Sequence, residues 1–196
     1  MRIILASKSG VRKKILNDFK IDCQVIASQV DEDEVKQSLL AEGADPLIIS
    51  KNLAEIKSIK VSSKNPDRLV IGADSVISLQ DQLINKPRSR DEAFSILKKL
   101  NNSVHYLISS VCISKNGAMI WNHSDTSELK MKNLTEEQLK DYLGEIDTNT
   151  LLAYGVYQIE AEGMNLFEYI KGDHNSIMGL PIKSIINYIK QFKNYD

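Results

Sequence analysis

Short β-branched runs alternate with longer stretches of helical periodicity along this chain, which predicts a protein of α/β class. Residues 2–6 read as a buried first strand, ended by the polar connection Ser7-Lys8-Ser9-Gly10. A helix is predicted from Val11 to Phe19, because Val11, Ile15 and Phe19 recur at helical spacing. Asp45-Pro46, a capping residue followed by proline, opens a second helix through Leu53 and Ile56, with Lys51, Glu55 and Lys57 on its polar face. Residues 68–79 read as a long strand interrupted by the polar group Gly72-Ala73-Asp74-Ser75.

Ser89-Arg90-Asp91-Glu92 has the pattern of a capping box and predicts a helix through Leu97 and Leu100. Two strands follow, from Val104 to Ser114 and from Ala118 toward Leu129, joined by a tight turn at Asn116-Gly117. Thr135 to Gln138 is a second capping box, opening a short helix that Gly144 can close. A last strand is predicted over residues 166–170, and Ile182, Ile185, Ile186, Ile189 and Phe192 form the apolar stripe of a terminal helix. Without repeats or linkers, residues 1–196 are expected to form one domain with two lobes around a cleft.

Composition narrows the function classes. The 25 basic and 26 acidic side chains nearly cancel, so there is no general affinity for nucleic acid or anionic membrane and any phosphate binding must be local. No run approaches the roughly 20 apolar residues of a membrane helix. Nor does the N-terminus hold a signal-peptide core, so a cytoplasmic location is expected. Cys23 and Cys112 match neither a disulfide framework nor a metal-ligand spacing and read as reduced core thiols.

The candidate chemistry lies in the polar interruptions. Ser7 to Lys14 places hydroxyls and cations at a helix start, where backbone amides favour an anion and Arg12, Lys13 or Lys14 can add charge. A solvated first turn is the alternative. Asp74 follows Leu-Val-Ile-Gly-Ala at the end of a buried run, a costly place for a carboxylate unless it binds a hard metal ion or takes a proton from water. A capping or turn aspartate would also fit. Lys86-Pro87 offers a cation in a loop, and the run Asp31 to Glu34 is either a solvated face or the source of a second metal ligand. Gly172-Asp173-His174-Asn175, ahead of Gly179-Leu180-Pro181, can cap the terminal helix or line a pocket. The three histidines lack metal-ligand spacing, and no Ser, His, Asp arrangement specifies a nucleophilic triad.

Leu5-Ala6-Ser7-Lys8-Ser9 before Arg12, Gly72-Ala73-Asp74-Ser75, Lys86-Pro87 and Gly172-Asp173 to Gly179-Leu180-Pro181 occur in one order. Together with Leu53-Ala54, Lys57 and Ala153-Tyr154-Gly155, they make almost the whole chain resemble the Maf family of nucleoside triphosphate pyrophosphatases, also called septum-formation-inhibitor-like proteins. The resemblance implies an elongated mixed sheet flanked by helices, two lobes around a central cleft similar to inosine triphosphate pyrophosphatases, and often a homodimer. It also implies cleavage of a nucleoside triphosphate between the α and β phosphates, with magnesium or manganese. On that model Asp74 is the proton acceptor or metal ligand, and Glu32 shares the metal. Ser7, Ser9, Arg12, Lys57, Ser75 and Lys86 lie on the substrate.

The chain departs from the family pattern at three places. Serine-proline-arginine-arginine here reads Ser9-Gly10-Val11-Arg12, so Val11 replaces an arginine linked to substrate choice. Ser75 replaces a threonine. Counting back from Gly163 puts Glu160 where the family often has a glutamine that helps read the base, and Gln158 compensates if the register shifts. A nucleotide-binding regulator of cell division with little turnover, and a phosphatase removing one phosphate at a time, are the competing readings.

Overall fold

The computed structural model describes residues 3–159 and 162–193. Arg2 and Glu160, and the side chain of Phe192, lie outside the described part. The first half runs β1 (Ile3–Leu5), α1 (Gly10–Asp18), β2 (Cys23–Val25), α2 (Glu32–Ala41), α3 (Pro46–Ser62), β3 (Leu69–Leu79) and β4 (Gln82–Ile84). The second half runs α4 (Arg90–Leu100), β5 (Val104–Lys115), β6 (Ala118–Met131), α5 (Glu136–Gly144), α6 (Thr148–Tyr154), β7 (Phe167–Lys171), α7 (His174–Ile177) and α8 (Ile182–Lys193).

The strands form a mixed seven-stranded sheet in the order β2-β1-β3-β5-β6-β7, with β4 paired to the end of β3. β1 runs parallel to both β2 and β3, and the remaining pairings are antiparallel. This is the expected elongated mixed sheet flanked by helices.

Two large apolar cores lie along the long strands, beside a small cluster of Ile4, Ala6, Val61 and Val70. One gathers Ile3, Leu5, Ile15, Leu16 and Ile71 with Ile182, Ile185 and Ile189 of α8. The other gathers Leu97 and Leu100 of α4, Leu107, Leu129, Leu139 of α5 and Phe167. β3 and β5 run through both, which makes the sheet a common floor for two lobes with a cleft between them. The helix starts follow their capping signals: Ser9, Asp45, Ser89 and Thr135 each accept a backbone N–H of the first turn. Thr135 and Gln138 complete a capping box.

Two expectations need correction. β3 is not interrupted at Gly72 to Ser75: its ladder with β5 is continuous from Val70 to Ser78. Alternation along the strand sends Gly72 and Asp74 to one face and Ala73 and Ser75 to the other, where each polar group meets its own partners. Lys57 is not on the polar face of α3. It is buried on the face formed by Ser50, Leu53, Ala54, Ser58 and Val61, packed against β3. The cysteines are free, but only Cys112 is buried and Cys23 is half-exposed at the sheet edge. Among the described residues no helix is long and apolar enough to cross a membrane.

Candidate active site

Gly72 sets the distance between β3 and α3. A Cβ there would overlap the backbone of Ala54 and Ser58, so glycine lets the helix lie directly on the strand. That close approach brings Lys57 onto Asp74, two residues along the same strand face. Lys57 Nζ donates to Asp74 Oδ1 at 2.7 Å, and Ser50 Oγ donates to the Asp74 carbonyl at 3.3 Å. Asp74 is only 5% exposed, and its Oδ2 is buried without a hydrogen-bond partner.

The acidic run after residue 30 begins a helix. Asp31 caps α2, and Glu32, its first residue, accepts from Lys57 Nζ at 2.7 Å. One ammonium thus spans two carboxylates. The neighbouring Lys57, Lys36 and Lys86 charges hold Glu32 below its ordinary carboxylate pKa, against the opposing effect of burial, which is the largest single influence. Lys36 lies one helical turn beyond Glu32 and also lines the cleft. Its signal was the Glu-x-x-x-Lys spacing of a helix whose existence the apolar pattern did not reveal.

On the opposite face of β3, Arg12 is held by neutral acceptors. Its Nε donates to Gly179 O at 2.8 Å, Nη1 to Ala73 O at 2.9 Å and Ser7 Oγ at 3.3 Å, and Nη2 to Ser75 Oγ at 3.1 Å. Four of the five guanidinium donors are therefore engaged. Burial lowers the Arg12 pKa, while Asp74 and Glu32 pull it back up. Ser75 Oγ continues the network to Ser109 Oγ at 2.9 Å. Ser9 Oγ accepts from Arg12 N, fixing the first turn of α1. Lys13 and Lys14 are exposed and do not face the cleft.

From the other lobe Lys86 donates to Ala153 O at 2.8 Å. Although much of its side chain meets solvent, loss of water around the ammonium lowers its pKa. The Arg12 charge acts the same way, and Glu32 and Asp74 oppose it. The Gly172 to Gly179 segment lines the cleft as expected, but the helix it caps is the short α7 and not the terminal α8. Asp173 caps α7 through the amides of Asn175 and Ser176, and Gly179 lines the cleft beside Arg12.

These parts enclose a cavity of about 440 Å³ lined by Ser7, Ser9, Arg12, Glu32, Lys57, Asp74, Ser75 and Lys86. The structure thus brings together every expected site residue that it describes. No group of three or more His, Cys, Asp or Glu side chains fit for a metal exists among the described residues. In a partly buried cluster Asp125 accepts from Ser176 Oγ at 2.5 Å and meets His123 Nε2 at 2.8 Å. The carboxylate stands between histidine and serine, so the base-to-nucleophile contact of a triad is not made.

A family model described as Maf-like protein matches residues 2–192. The nucleoside triphosphate pyrophosphatase of Pelagibacter ubique is 56% identical over 191 residues, covering 97% of this chain and 98% of that protein. The 7-methyl-GTP pyrophosphatase of Brucella abortus is 34% identical over 196 residues, covering 100% of this chain and 98% of that protein. Among solved structures, a HAM1 protein from Coxiella burnetii aligns over 68% of this chain and 74% of its own, with 13% identity and a TM-score of 0.47. With the family model spanning nearly its full length, the chain belongs to the Maf-like protein family.

Proposed function

We propose that this protein is a hydrolase that cleaves nucleoside triphosphates to the monophosphate and pyrophosphate, with Asp74 as the proton acceptor. The observation that carries the reading is the buried Asp74 carboxylate, which keeps one oxygen unbonded at the floor of a cleft bordered by Arg12, Lys36, Lys57 and Lys86. Those cations match a triphosphate, whose leaving pyrophosphate gathers negative charge as its bond breaks. Pyrophosphatases of nearly full-length similarity support the same reaction class.

In this reading water attacks the α phosphorus and its proton passes to Asp74. The bond from that phosphorus to the α-β bridging oxygen breaks, and pyrophosphate leaves with the electron pair. Ser7, Ser9 and Ser75 offer hydroxyls around the phosphates. Arg12, with four donors already placed, fixes the wall and leaves one N–H for substrate. Lys86 reaches the phosphates from the opposite lobe.

A magnesium or manganese ion would fit the donor set in the alternative in which Asp74 holds the metal and does not take the proton, because its free oxygen and the Glu32 carboxylate are hard ligands that a substrate phosphate and water can complete. Bound there, it would offset phosphate charge. Lys57 holds both carboxylates in place for it.

The test is product identification. Purified protein is incubated with ordinary and modified nucleoside triphosphates and magnesium or manganese, beside Asp74→Asn. Monophosphate with pyrophosphate, lost in the variant, is the expected result. Orthophosphate released stepwise, or nucleotide binding without turnover, would sink the reading and favour a phosphatase or a regulator.

A further inference from the structure

α2 borders the cleft with few anchors. None of its ten residues is buried, so no apolar side chain fixes it to the rest of the lobe. Two ion pairs tether its first turn, from Glu32 to Lys57 at 2.7 Å and from Asp33 to the exposed Arg88 at 3.8 Å. Left-handed positions bracket the helix, Gln29 with φ 52° before it and Gly43 with φ 79° after it. A Cβ added at Gly43 would meet nothing within 4 Å, so backbone conformation and not packing calls for glycine there. The segment between these two positions is joined to the fold at one end only.

Lys36 is the cation that this helix brings to the cleft. It is half-buried about one turn, roughly 5.4 Å, beyond Glu32, and it lines the same cavity as Lys86. Its ammonium makes no hydrogen bond or close ion pair with any described residue. The other cations are already engaged: Lys57 is shared by two carboxylates, Arg12 has four donors placed and Lys86 donates to Ala153 O. Loss of water is the main cause that lowers the Lys86 pKa, and Lys36 is among the charges that act the same way. Two like charges facing one cavity repel, and an anion between them relieves the repulsion. Because Asp74 and Glu32 surround the reacting phosphate, Lys36, a turn further on, meets the part of the chain that leaves.

We propose that Lys36 is a specificity-determining residue whose ammonium grips the terminal phosphate opposite Lys86 and seats α2 over the cleft, so that nucleoside triphosphates are taken over diphosphates. This rests on reading the cleft as a nucleoside triphosphate site and adds the group that recognises the length of the phosphate chain. A diphosphate reaches Lys86 but leaves Lys36 without its anion, and a ligand shifts a mobile element only by the contacts that differ between its two positions.

Calorimetry with non-hydrolysable α,β-methylene analogues of GTP, GDP, UTP and UDP in magnesium tests this without turnover, and the ratio within one base isolates the terminal phosphate. The wild type is expected to bind each triphosphate at least about tenfold more tightly than its diphosphate. Lys36→Gln should lower that ratio about tenfold while diphosphate binding stays within about twofold, and Lys36→Arg should keep the ratio. Hydrogen exchange of the α2 amides should slow with the triphosphate analogues and not with the diphosphates, a readout that does not depend on any variant folding. A ratio unchanged in Lys36→Gln, an equal loss in Lys13→Gln outside the cleft, or equal protection of α2 by both chain lengths overturns the role of Lys36 and leaves the hydrolase reading intact. Binding of no analogue overturns both. The expected loss of ratio with no hydrolysis of the ordinary triphosphates supports the role and sinks only the catalytic reading.

Discussion

Asp74 projects from one face of β3 and Arg12 packs on the other, and the protein treats the two charges in opposite ways. Asp74 shares a lysine with Glu32 and keeps Oδ2 buried and unbonded. Arg12 is nearly saturated by two carbonyls and two hydroxyls. A charge whose valences are filled fixes architecture, whereas a buried one with an open valence is poised for chemistry. On the proposed reading Asp74 governs rate and Arg12 governs stability.

The sharpest way to break that contrast is Asp74→Asn. The amide keeps an oxygen for Lys57 and the same volume, so stability should change by no more than about 1 kcal/mol. Turnover should fall at least about a thousandfold, because an amide cannot take the proton from water. Single-turnover kinetics and urea unfolding on the same sample check both parts. A loss below tenfold would remove Asp74 from the reaction.

His105 sharpens the comparison as a third buried ionisable group, kept uncharged. It is fully buried against Tyr157 and Phe167, and desolvation lowers its pKa from 6.5 to about 4. With the folded pKa depressed, the unfolded chain takes up the proton first as pH falls. The stability from neutral His105 is therefore complete above about pH 6.5 and drains away as pH drops toward about 4, by about 3 kcal/mol. Urea titrations of wild type and His105→Gln at pH 7, 5 and 4 isolate this contribution as their changing difference. A difference constant across that range would show that the ring takes up its proton at the same pH in the folded and unfolded chain, so that burial does not depress its pKa.

Arg12→Met tests the architectural half. It strands the Ala73 and Gly179 carbonyls and should lower stability by about 2 kcal/mol, more than Asp74→Asn does. Arg12→Lys should recover little of it, because a point ammonium cannot replace a planar fork reaching four acceptors. If the asparagine variant were the less stable of the two, the division between open and filled valences would be wrong.

What could be read in advance follows from how local each determinant is. The cap at Ser89, the capping box at Thr135 and the Asn116-Gly117 turn act within four residues, and the elements they mark stand where expected, although Glu92 turns to the Arg88 amide and leaves the Ser89 box incomplete. Asp74 stood out because a carboxylate in an apolar run is costly wherever the chain goes. Lys57 was misplaced because the inward face of α3 is built partly from serine, alanine and lysine, small enough to meet β3 across Gly72 but without an apolar stripe. α2 has no buried residue, so it left no periodicity to find, and β2 and β4 are three residues each. The bond from Arg12 to Gly179 spans 167 positions and exists only once the lobes have met. Glu160, the expected base-side residue, lies outside the described residues.

The weakest charges complete the scale. α2 touches the other side of the cleft through Asp33, whose carboxylate lies 3.8 Å from the Arg88 guanidinium, with side chains 70% and 79% exposed. At that distance and exposure, water and salt screen the pair and ordering two side chains offsets much of the attraction. Arg88→Ala should therefore shift stability by less than about 0.5 kcal/mol and turnover by less than about twofold. The same helix also carries Glu32, which meets the buried Lys57 one residue earlier, so the two anchors can be separated by experiment. If Arg88→Ala cut turnover tenfold, the exposed pair would be what holds α2 over Asp74. The distinction between buried charges that matter and exposed ones that do not would then fail at this helix.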